Sequence, residues 1–227
     1  MFFDRTSNEW AVQDSNGGFT GGVIVTNKAE PYVLGTRMRE VTGAIAELEI
    51  IWITKEHWQF DAEGYLKYSS AEKWDEIPAS NRDSRPTLMY AANSYMDAFV
   101  NQDFSIVPWG YPCVRIEGGA YTARGGEKPD STCEVSMPSG LNIVNRRFVI
   151  DETVGAVVVF CNFGAGTADR GSGAPDSHLF RVENGKIRYV HTLTYLLQSD
   201  FKMPLAKGSE YLNMNPKDIA KPKGKQR

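Results

Sequence analysis

No apolar run in the 227-residue chain approaches the roughly 20 residues that a bilayer-spanning helix needs, so membrane insertion is not expected. Charge of one sign is scarce as well. The 25 Lys and Arg against 28 Asp and Glu leave a net charge of −3, which gives nucleic acid and acidic membranes nothing to dock on. The chain has no GxxxxGK[ST] phosphate loop, no Gly-x-Ser-x-Gly elbow, no catalytic-cysteine signature and no zinc-ligand spacing. Its start, MFFDRTSNEW, lacks the basic, apolar and small-residue segments of a signal peptide. That leaves a cytoplasmic chain, or a secreted one whose leader has been removed, equally open.

Cysteine and histidine are both rare, at three each. Cys113 and Cys133 stand at the two ends of a Gly-rich excursion and either bridge its base or remain reduced. Cys161, inside AVVVFCNF, reads as a small buried hydrophobe. His57 reads as a surface residue.

What is present is an ordinary globular composition, 41% hydrophobic and 23% charged, with enough length for a sizeable core. The most informative stretch is PDSHLFRVENGKIRYVHTLTY, residues 175–195. Asn184-Gly185 is the signal for a two-residue turn whose central positions both take φ > 0. Regular pairing outward from that turn sets Val182 against Ile187, Phe180 against Tyr189 and His178 against His191. The two histidines are thereby expected side by side on one apolar face, with Arg181, Glu183, Lys186, Arg188, Thr192 and Thr194 on a solvated one.

Elsewhere, residues 33–54 read as two strands about a turn at Thr42-Gly43. Arg39, Gly43 and Ile45 align with Arg181, Gly185 and Ile187, which is either chance or the mark of two related hairpins in one curved sheet. Ser69-Ser70-Ala71-Glu72 is a capping-box pattern that predicts a helix starting near Ser70. A stronger helix is predicted from Pro86 to about Val100, with Leu88, Ala92, Tyr95 and Phe99 on one stripe. Strands are predicted at 113–121, 145–151 and 156–163, and a short one at 23–25. Gly125-Gly126 and residues 164–173 read as loops, the second a candidate lid. The basic end beyond Lys217 reads as a flexible tail. A helix followed by long antiparallel strands makes an α+β fold with a concave sheet, and a pocket between sheet and helix is the natural ligand site.

VPWGYPCVRIEGGAYT (Val107 to Thr122), NRRFVID (Asn145 to Asp151) and PDSHLFRVENGKIRYVHTLT (Pro175 to Thr194) resemble, in this order, a fungal family of uncharacterised proteins. That family is itself similar to the SnoaL-like and nuclear-transport-factor-two-like cone folds. The resemblance runs from about Trp58 to Leu193. It implies a cone-shaped, strongly curved antiparallel sheet packed on helices, here with an extra N-terminal β-hairpin. The expected organisation is an N-terminal extension over 1–56, a cone domain over 57–205 and a tail over 206–227. Many members of the wider superfamily are homodimers and cofactor-free isomerases, dehydratases or cyclases; others only bind ligands or mediate assembly. Family members often begin with a secretory leader and a helical segment, and the chain departs from that pattern by starting later.

The expected function is a cofactor-independent biosynthetic enzyme, an isomerase, dehydratase or cyclase (pericyclic cyclisation included). Its substrate is an apolar oxygenated small molecule such as a terpenoid or polyketide of fungal specialised metabolism. The alternative is a non-catalytic binder using the same cavity. His178 and His191 are the expected acid–base pair, because adjacent imidazoles titrate together near neutral pH, with Asp176 as their orienting carboxylate. Arg115 and Glu117, two apart in one strand, either hold an oxygenated substrate or clamp the fold. Trp109, Tyr121, Phe180 and Tyr189 are candidate lining residues. Asp176, His178 and His191 also form a two-histidine, one-carboxylate set, but the expected metal and cofactor content is none.

Overall fold

The computed structural model describes residues 1–15, 31–123, 128–135, 141–165 and 172–198. The expected short strand at 23–25, the Gly125-Gly126 loop, most of the candidate lid and the tail lie outside these residues.

Both predicted hairpins form, and the turn chemistry is the reason. Asn184 and Gly185 sit at φ 54° and 69°, and Thr42 and Gly43 at φ 52° and 82°, the mirror-image turn that matches strand twist. The first turn joins β9 (Ala174–Glu183) to β10 (Lys186–Thr194), and the second joins β3 (Val33–Val41) to β4 (Ala44–Ile53). The hairpins occupy different sheets, so a single curved sheet holding both is not what forms.

The first sheet is four-stranded and antiparallel, in the order β1 (Phe2–Asp4), β2 (Glu9–Ser15), β3, β4. The expected N-terminal hairpin is therefore half of a larger layer. The second is an open, curved, six-stranded sheet. Its order is β6 (Ala120–Tyr121), β5 (Trp109–Glu117), β10, β9, β8 (Ala156–Ala165), β7 (Asn142–Asp151). It is not wholly antiparallel as expected, because β5 runs parallel to β10. The architecture is α+β.

Helix α2 (Arg85–Asn101) lies where the stripe predicted it. Ser84 caps it, Pro86 occupies its first turn and Gln102 closes it in the left-handed region. Its face of Leu88, Ala92, Tyr95 and Phe99 is buried against the front of the six-stranded sheet, where Val159, Phe180, Val182, Ile187 and Val190 complete one core. Helix α1 (Ala62–Ser69) ends where the capping-box reading had a helix begin. Asp61 caps it instead, accepting from the Gly64 N–H at 2.8 Å, and Ser70 is its C-cap.

The back of the six-stranded sheet is not solvated. The four-stranded sheet and α1 cover it, and Val33, Ile51, Ile53, Tyr65, Val158, Leu179 and Leu193 form a second core there. Arg181, on this face and placed in water by the alternation argument, is 4% exposed. The second core joins the N-terminal layer to the larger sheet. The strand β4 presents Leu48, Ile50 and Trp52 outward, each about half exposed.

A close approach fixes how the start of α1 meets the turn between β5 and β6. Gly119 sits at φ +105°, and a Cβ there would lie 1.7 Å from the Asp61 carbonyl oxygen. Gly119→Ala combines a disallowed backbone with an overlap against main chain, and should cost about 3 kcal/mol or more of stability. A denaturant midpoint unchanged from the parent chain would refute that.

Cys113 and Cys133 form a disulfide and Cys161 is free and buried. No helix among the described residues is long and apolar enough to cross a membrane.

Candidate functional site

The central expectation, two histidines shoulder to shoulder, is overturned by one extra residue. Lys186 and Ile187 pair with Glu183 and Val182 as predicted, and then the register shifts. Tyr189 stands opposite Arg181, Val190 opposite Phe180, His191 opposite Leu179 and Thr192 opposite His178. Arg188 is the inserted residue of a β-bulge, and a one-residue slip moves every later side chain to the other face. The neighbouring strand β5 is irregular at the same level, where Pro112 has no N–H to offer the ladder. His178 therefore faces α2, and His191 faces α1 and the N-terminal sheet.

On the front face the structure brings together Asp176, His178, Phe180, Arg115 and Glu117 of the expected residues. Asp176 lies in β9, and its Oδ2 is 3.3 Å from His178 Nδ1. The Cys161 sulfur is 3.8 Å from each of those two atoms. The Thr194 hydroxyl donates to Asp176 Oδ1 at 3.2 Å. Burial pushes the Asp176 carboxyl up to about 8, against the Thr194 hydrogen bond and with help from the Glu117 charge. Burial, followed by the charges of Arg115 and Arg146, pushes the His178 imidazole down to about 3. At neutral pH this is a protonated acid beside a neutral ring, with Phe180 stacked on that ring and Tyr95 at its edge. Arg115 donates to the Tyr95 hydroxyl at 3.0 Å and to Glu117 at 2.9 Å, and the Trp58 indole donates to Glu117 at 2.9 Å. Arg115 and Glu117 are thus paired with each other and held by Tyr95 and Trp58.

The back face holds a different constellation. Both Glu72 oxygens lie 2.9 Å from His191 Nε2, and the Tyr65 hydroxyl is 3.2 Å from His191 Nδ1. The His191 and Glu72 side chains are 2% exposed each. A carboxylate only accepts, so Nε2 carries hydrogen, and in the tautomer with hydrogen on Nε2 alone Nδ1 accepts from the Tyr65 hydroxyl. Burial first, and the Glu72 and Asp14 charges next, push the Tyr65 hydroxyl well above its ordinary range, which keeps it protonated. Carboxylate, imidazole and phenol form a chain along which a proton can move.

That chain borders a cavity of about 390 Å³. His191, Tyr65, Trp74, Leu179, Gln13 and Phe2 are among its walls. Gln13 is held by its amide nitrogen, which donates to the Ser177 carbonyl and hydroxyl at 3.1 and 2.9 Å. Its side-chain oxygen has no partner among the described residues and is buried.

A family of a domain of unknown function, DUF8021, matches residues 81–194, half of the chain. The chain belongs to that family. No curated protein matches it. The DUF8021 segment supplies His191, the whole front-face cluster and α2. Tyr65, Glu72, Trp74 and the first sheet precede it, so the cavity is built jointly by the DUF8021 segment and the residues before it.

The other expected lining residues lie away from the cavity. Trp109 packs on Tyr95 and Phe104, and its indole donates to the Phe104 carbonyl at 3.2 Å. Phe180 is core under Tyr95, and Tyr121 stacks near Tyr68. Tyr189 packs on Trp74 and its hydroxyl accepts from the Lys73 N–H at 3.2 Å. His57 is buried rather than on the surface, with Nδ1 accepting from the Thr54 N–H at 3.1 Å. Glu72 and Tyr65 carried no sequence signal. Glu72 sits in the segment after α1, where the capping-box pattern gave it another reading.

Proposed function

We propose that this DUF8021 protein is a cofactor-independent enzyme that moves protons on an apolar, oxygenated small molecule, with His191 as its acid–base residue. The observation that carries the reading is the Glu72–His191–Tyr65 chain on the wall of a cavity large enough for a small molecule. Gln13 adds a polar side chain to the same wall. Phe2, Trp74 and Leu179 supply apolar wall for the rest.

In the step this geometry serves, the substrate gives a proton to the Tyr65 oxygen while the Tyr65 proton passes to His191 Nδ1. Glu72 holds the resulting imidazolium. Reversal delivers the proton to a different substrate atom, which is an isomerisation, or to a departing hydroxyl, which is a dehydration. A cyclisation follows the same course when the protonated atom initiates ring closure. Resemblance to SnoaL-like cone proteins of fungal specialised metabolism favours terpenoid or polyketide substrates. A homodimer belongs to the same resemblance, and the exposed Leu48, Ile50 and Trp52 of the edge strand β4 are where a second copy would seat. A monomer mass by sedimentation would remove that part.

The test is incubation of the full chain with a panel of hydroxylated terpenoids and polyketides, with products followed by mass spectrometry. Product formation that is lost in His191→Ala supports the enzyme. Ligand captured and returned unaltered makes the protein a binder.

A further inference from the structure

We propose that Cys161, Asp176 and His178 form a binding site for a thiophilic divalent cation of the zinc type. The register of β8 and β9 places Cys161 opposite Asp176, and His178 follows two residues on along the same face. One donor atom from each, Sγ, Oδ2 and Nδ1, makes a triangle with sides of 3.8, 3.8 and 3.3 Å. Tetrahedral zinc with ligands at about 2.0–2.3 Å requires ligand-to-ligand separations of roughly 3.3–3.6 Å. The triangle matches that edge length to within a few tenths of an ångström. A single thiol–carboxyl–imidazole hydrogen-bond chain does not need all three sides short at once.

The charges close as well. Binding converts thiol and carboxylic acid to thiolate and carboxylate, releases two protons to solvent, and leaves the imidazole neutral. Two negative ligands and one divalent cation then sum to zero in a site whose three ligand residues are at most 2% exposed. The guanidinium groups nearest in charge are already paired, Arg115 with Glu117 at 2.9 Å and Arg146 with Asp97 at 2.7 Å. The Thr194 hydroxyl, on Asp176 Oδ1, is placed as the outer hydrogen bond that orients a ligating carboxylate. The histidine–carboxylate set considered from sequence contained His191; the bulge removes it, and Cys161 stands in the third position. The proposal does not depend on the cavity chemistry, because it concerns the opposite face of the sheet.

Cobalt titration of the full chain tests it. Cys113 and Cys133 are joined, so Cys161 is the one free thiol and any thiolate-to-cobalt absorption belongs to it. The protein, stripped by chelator without reductant, should take up one equivalent of Co²⁺ with a near-ultraviolet charge-transfer band and visible bands of tetrahedral intensity. Zn²⁺ should abolish both. Cys161→Ser should lose the charge-transfer band, and His178→Gln should weaken Zn²⁺ binding by about a hundredfold or more. A folded parent chain that shows no thiolate band at saturating Co²⁺ overturns the proposal, whatever the variants do. Uptake of cobalt without that band overturns it equally.

Discussion

Replacing His191 by alanine lowers turnover of any accepted substrate by about 10²- to 10⁴-fold, the usual contribution of a positioned acid–base group. The loss falls on kcat rather than KM, because His191 meets the proton carried by Tyr65 and not the bulk of the ligand. Tyr65→Phe keeps the ring and removes the hydroxyl that links cavity to imidazole, so its loss is of the same size. Glu72→Gln leaves His191 in the wall but removes the charge that holds the imidazolium, and its rate falls between these and the parent. His178→Gln, on the other face, leaves the rate within a few-fold of the parent. Turnover assays across the four variants check this order; equal losses for His178→Gln and His191→Ala contradict it.

Replacing Asp4 by alanine costs about 3–5 kcal/mol, the penalty for leaving a buried charge network without its centre. Asp4 is fully buried, and its carboxylate accepts from Arg85 at 2.7 Å. It also accepts from the N–H groups of Ile150 at 2.9 Å, Thr6 at 3.0 Å and Ser7 at 3.2 Å. One side chain thus ties β1 to both β7 and α2. Burial alone pushes its pKa up, and the Arg85 and backbone hydrogen bonds more than reverse this, so it lies below the ordinary aspartate value. The sign of the pH effect follows. The unfolded chain binds this proton more readily, so the stability is fully present above about pH 4 and is lost as pH falls through the lower folded value. Denaturant melts at pH 7 and pH 3 should show the parent losing stability on acidification and Asp4→Ala losing less. Parallel losses would show that the Asp4 network carries none of it.

Periodicity and turn chemistry made much of this fold legible. The Leu88–Phe99 stripe predicted α2 nearly to its ends, and Asn184-Gly185 and Thr42-Gly43 predicted both hairpins. Position-by-position alternation also held along β9, where His178, Phe180 and Val182 share a face. It failed at Arg188, because a bulge depends on what the neighbouring strand offers and leaves no mark in the strand that carries it. That slip of one residue separated the two histidines and gave each a partner from outside the hairpin. Thr192 was misread as wet because the same slip carries it to the helix side, opposite His178, and Arg181 was misread for a related reason. Alternation distinguishes two faces but not what covers the second, and over Arg181 that cover is Trp74, with the Asp75 and Val154 carbonyls accepting from its guanidinium. Ser69–Glu72 matched a helix start because capping residues are also good helix ends. The chain had already used Asp61 to open α1, which left Glu72 free to turn toward His191.

With three histidines in the chain, a nitrogen-detected spectrum of the imidazole rings is simple enough to assign by single substitutions. Adding a compound that the protein converts should move the His191 ring signals, through Tyr65 and the cavity wall, and leave those of His178 in place. Signals of His178 that move while His191 stays still would put the chemistry on the helix side of the sheet and contradict the account.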